Sequence, residues 1–224
     1  MGVAGYMRLK TVLCLCAVLG LTLYPAGLAS AANNSTFNQT VNAGTLATDI
    51  LDASRVPVAS PAVTLGAATF SFNCQTTTGT FGTNTERIYV TNPSAANSGW
   101  TLTLAATSGA TALWSTGIDF NDSTGAGCTD GVDTDTKAGQ LTVDASVGTL
   151  TADCTSCTTA NVTKGSATAF AEGTTDSVTL LNAAAASDDV WRGYLTGAAL
   201  SQTIPAETAA GSYTINMTLT ATAQ

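Results

Sequence analysis

Apolar and polar residues recur with a period of two through much of the chain. The clearest run lies near the C-terminus, where Tyr213, Ile215, Met217 and Leu219 alternate with Ser212, Thr214, Asn216 and Thr218. One face of such a segment is apolar and the other hydroxylated, the pattern of a half-buried antiparallel strand. Trp100, Leu102 and Leu104 repeat it, with Thr101 and Thr103 between them. Further strands are expected over 62–73, 86–92, 140–146, 176–182 and 194–204, with a weaker one in 44–51. Asn92-Pro93, Ser108-Gly109, Thr124-Gly125 and Ala210-Gly211 punctuate them as turns. The run Ala183 to Ala186 offers one helical turn, but Asp188-Asp189 follow closely and a loop reads equally well. Many short strands with regular turns predict an all-β fold, an antiparallel β-sandwich forming a single domain over 44–224.

The N-terminal pattern is different. Arg8 and Lys10 precede an apolar run from Thr11 to Leu23, Tyr24-Pro25 breaks it, and Ala29-Ser30-Ala31 supplies small residues. This is the layout of a signal peptide over 1–31, cleaved before Ala32. The run falls short of the roughly 20 apolar residues that a membrane span needs. Cys14 and Cys16 follow Leu13 and Leu15, where a lipid-anchoring site would want a small residue. Residues 32–43, rich in Asn, Ser, Thr and Gln, read as a flexible lead-in, and the expected location is extracellular or at the cell surface.

Charge narrows the partners. The full chain carries a formal net charge of −8, and removing 1–31 would take away two of its seven basic residues and none of its fifteen acids. Such a surface repels nucleic acid and anionic lipid. Only 10% of residues are charged, so solubility rests largely on Thr, Ser, Asn and Gln, and β-branched Thr suits a pleated, half-solvated strand.

The chain has no histidine, which removes the commonest general base and metal ligand together. A carboxylate pair could still hydrolyse a glycoside. However, most acids fall in turn-like loops and aromatics make up only 6% of the chain, so a non-catalytic role is expected. Within the loop-like stretch 117–139, Asp119, Asp122, Asp130, Asp133 and Asp135 are spaced to wrap a hard cation such as calcium through oxygen ligands. The glycine placement and the missing closing Glu exclude an EF-hand, and a solvated acidic turn is the plainer alternative. Four cysteines follow the expected cleavage point, and in an exported chain they favour disulfides. Cys74–Cys128 with Cys154–Cys157 is the preferred connectivity, a four-cysteine zinc site the competitor.

The segment Arg87-Ile88-Tyr89-Val90-Thr91-Asn92-Pro93 followed by Gly99-Trp100-Thr101-Leu102-Thr103-Leu104 resembles a WxL domain, a cell-surface module of Gram-positive bacteria. That family places a second Trp-x-Leu near the C-terminus, after a Gly-x-Tyr segment. Here Gly211-Ser212-Tyr213 provides the context, but the triplet reads Met217-Thr218-Leu219. The resemblance implies non-covalent attachment to the cell wall and points to Trp100, Leu102, Tyr213, Met217 and Leu219 as binding residues. The plainer reading of Trp100, as of Tyr213 and Met217, is a core residue on the inner face of a sandwich. Two functions follow as expectations. One is a wall-associated binding or structural module whose partners are wall glycan or other surface proteins, using uncharged contacts, a bridging cation, or a local patch around Arg87 and Arg192. The alternative is a self-assembling filament or surface-layer subunit that donates 45–51 to a neighbour's sheet edge.

Overall fold

The computed structural model describes residues 37–94, 98–115, 117–131, 133–185 and 190–224. The expected signal peptide, the first part of the lead-in and Asp188-Asp189 lie outside the described residues. The chain divides into two compact units, Met1–Val41 and Asn42–Gln224. Of the first, residues 37–41 are described; they are exposed and have no regular secondary structure.

The second unit is nearly all β. Its first sheet runs in the order β1 (Ala47–Leu51), β3 (Arg87–Asn92), β12 (Trp191–Thr196), β8 (Thr149–Ala152). The next has the order β10 (Thr168–Ala169), β7 (Gln140–Asp144), β13 (Ala198–Ile204), β2 (Gln75–Phe81). The third comprises β14 (Met217–Ala223), β4 (Trp100–Ala106), β11 (Ser177–Ala183) and β9 (Val162–Lys164). A two-stranded ribbon pairs β5 (Leu113–Trp114) with β6 (Ile118–Asp119). All pairings are antiparallel, and the sheets pack together as a sandwich.

Alternation does what it predicts in β4. Trp100, Leu102, Leu104 and Ala106 are buried, while the residues between them are part-exposed. The ring of Trp100 meets that of Trp191 on β12 at 5.2 Å, tying the first sheet to the third. Phe120 and Phe170 make a second aromatic contact at 5.1 Å within the same core. Truncating a buried ring of this size removes about 3–5 kcal/mol of stability.

Three expectations are corrected. Residues 62–73 do not form a strand: apart from a single bridge from Leu65 to Gly79 they are irregular and mostly exposed. The strand instead lies at Gln75–Phe81, a Thr-rich segment without an apolar face, held by seven paired positions to β13. The stretch 194–204 is two strands in different sheets, broken at Gly197, which sits at φ 77° and donates its N–H to Gly82. Only glycine takes that backbone conformation without steric cost. At the C-terminal end the half-buried and exposed positions do alternate from Tyr213 to Ala221, but ladder pairing starts only at Met217.

Candidate functional site

The β5–β6 ribbon carries the two features that matter. Successive residues of a strand point to opposite faces, and in β6 Ile118 faces a cleft while Asp119 enters a group of carboxylates. Asp119, Asp133 and Asp135 each bring a carboxylate oxygen to within 4.8 Å of the others. The folding that assembles them is local. Asp119 donates its N–H to Ala138 and Leu141 donates to Phe120, so the loop between returns alongside the ribbon. Asp133 Oδ1 then accepts the N–H of Asp135 at 3.0 Å, and Asp135 Oδ1 accepts that of Lys137 at 2.7 Å.

Asp119 is 1% exposed. Its Oδ1 accepts the N–H groups of Phe120 and Asn121, whereas Oδ2 is buried with no hydrogen-bond partner. Burial is the main reason its pKa is pushed up to about 7; those two N–H groups pull it down, and Asp135 and Asp133 push it further up. Burial also raises Asp135, with Asp133 and Asp130 adding to the effect against the N–H of Lys137. Glu172, exposed on the turn between β10 and β11, is raised by partial desolvation and then by its side-chain interaction with Asp133. Of the remaining predicted ligands, Asp122 is buried but stands outside the 4.8 Å group, with Oδ1 accepting from Thr124 and Oδ2 unpartnered. Asp130 is exposed and also outside that group.

On the other side of the ribbon lies a cleft of about 750 Å³, bounded by 62–71, 204–205 and 208–214 and floored by Trp114, Ile118 and Gln202. Among the described residues, no Asp, Glu, Lys or Arg lines it. The Tyr213 ring rests on Gly117, where a Cβ would fall within 2.1 Å of it, and its hydroxyl donates to Ala209 at 2.6 Å. Gln202 connects the two features. Its Oε1 accepts the Trp114 indole N–H at 3.0 Å, and its Nε2 donates to the carbonyl of Asp119 at 2.9 Å.

The residues singled out by the Trp-x-Leu pattern separate. Trp100 and Leu102 are fully buried in the core. β14 pairs with β4 so that Met217 sits opposite Ala106 and Ala223 opposite Trp100, placing the two triplets at opposite ends of the strand pair. Tyr213, Met217 and Leu219 are half-buried and line a neighbouring cavity of about 550 Å³. Cys74–Cys128 and Cys154–Cys157 are both disulfides. The first ties β2 to the loop that carries Asp130, Asp133 and Asp135. Arg192 and Arg55 both pair with Asp153, while Arg87 lies 4.5 Å over the Tyr194 ring.

Sequence patterns missed Glu172, Gln202 and the cleft. One signal was present: no charged residue occurs between Arg55 and Glu86, a long uncharged run in an acidic chain. Compared with family models, curated proteins and solved structures, the chain finds no match in any of the three.

Proposed function

We propose that the chain is an exported, non-catalytic protein of the cell surface, a wall-associated binding module similar to WxL proteins. It meets uncharged glycan through the cleft beside the β5–β6 ribbon. The observation that carries this reading is the lining of that cleft. In a chain with fifteen acids, a cavity of about 750 Å³ with no charged side chain among its described lining residues presents Trp114, Tyr213 and Phe70 among Thr, Ser and Gln groups. Aromatic faces pack against the C–H faces of sugars, and hydroxyl and amide groups match their hydroxyls. An uncharged contact also avoids the repulsion between an acidic domain and anionic wall polymers. The two disulfides fit an oxidising compartment. The rival filament reading draws no support from β1, which pairs with β3 in the chain's own sheet.

Sedimentation of the purified exported chain with and without isolated wall sacculi tests the proposal. Pelleting that requires sacculi is the expected result. Pelleting without them would favour self-assembly, and no pelleting would remove the wall-binding reading.

A further inference from the structure

The carboxylates around Asp119 carry an inference independent of what the cleft binds. Three acidic oxygens within 4.8 Å repel one another, and burial strengthens that repulsion. Among the described residues, the ion pairs join Asp153 to Arg55 and to Arg192, leaving no basic side chain paired with this cluster. A second observation is separate from the clustering itself. The Oδ2 of Asp119 belongs to a residue 1% exposed, in the carboxylate that approaches Asp133 and Asp135, and no donor reaches it. A buried acceptor without a donor is destabilising, and more so when it is charged.

We infer that Asp119, Asp133 and Asp135 form a binding site for a divalent cation, most suited to calcium. Oxygen-only donors select hard cations, and a site built from an irregular loop suits the flexible coordination of calcium better than the strict octahedron of magnesium. Glu172 interacts with Asp133 from a separate turn but stands outside the group of three. The cation therefore joins β6 to the 133–135 loop, a second cross-link beside Cys74–Cys128 in the same loop region. Binding to the folded state alone stabilises it in proportion to occupancy.

The test is calorimetric titration of calcium chloride, and separately magnesium chloride, into the chelator-stripped exported chain, with thermal melting in parallel. A single saturable calcium site, a higher Tm with calcium and weaker magnesium binding are expected. The double variant Asp133→Asn/Asp135→Asn, at part-exposed positions, should bind calcium at least tenfold more weakly while keeping its far-UV circular dichroism. Absence of saturable heat and of any Tm shift with the native chain at millimolar calcium would overturn the site. So would unchanged calcium affinity in a folded double variant.

Discussion

Ile118 and Asp119 are neighbours in a strand two residues long, yet their side chains enter opposite kinds of surroundings. Ile118 faces a cleft without charged side chains among the described residues; Asp119 faces two other carboxylates. The neutral side buries polar groups that satisfy one another, as Gln202 does with Trp114 and with the Asp119 carbonyl. The acidic side buries an oxygen with no partner among the described residues. A polar group already satisfied by its own protein leaves the cleft free to select a neutral ligand by shape and stacking. An unsatisfied buried carboxylate instead calls for a proton or a counter-ion. In the proposed reading one ribbon serves two recognition chemistries, with Gln202 as the element hydrogen-bonded to both sides.

The largest expected effect separates the two sides. Trp114→Ala, measured by co-sedimentation with sacculi, should weaken binding at least tenfold while leaving calcium titration unchanged. Gln202→Leu strikes both sides, leaving the Trp114 indole N–H and the Asp119 carbonyl without their partner. It should cost about 2 kcal/mol in urea unfolding, within the range for stranded buried polar groups. With chelator present, Asp119 gives the acidic side a pH signature. Its folded pKa of about 7 lies above the ordinary 3.8. The folded state therefore retains a proton that the unfolded chain has released, and stability falls as pH rises from about 4 to about 7. Asp119→Asn should flatten that slope in urea titrations across the same pH range. The smallest effect is expected for Met217→Trp, which creates a second Trp-x-Leu triplet. Met217 borders a 550 Å³ cavity with room for a larger ring, so the change in stability should stay within about 1 kcal/mol by denaturant unfolding.

How far the sequence could be read depended on how each segment is buried. β4 shows one buried face, so its alternation was plain. β3 buries Ile88, Tyr89 and Val90 consecutively, yet its apolar run still marked a strand. β2 has no apolar face; its Thr residues are placed by pairing with β13, and that partner is more than a hundred residues away. Residues 62–73 carried enough apolar residues to suggest a strand, but most of them face solvent or the cleft. In the acidic loop, the cluster was legible because five acids crowd a short stretch. Which of them converge was not, because Asp119 reaches Asp133 and Asp135 only through the ribbon and the returning loop. Glu172 comes from a turn after β10 and gave no local signal. The cleft was hidden for the same reason: its walls come from segments far apart in the chain.

The most direct test of the central claim is calorimetric titration of a soluble, uncharged wall-glycan fragment into the native chain and into Trp114→Ala, at low and high salt. Saturable binding by the native chain, insensitive to salt and lost in the variant, is the predicted result. Binding that persists in Trp114→Ala, or an absence of binding by the native chain, would contradict the account.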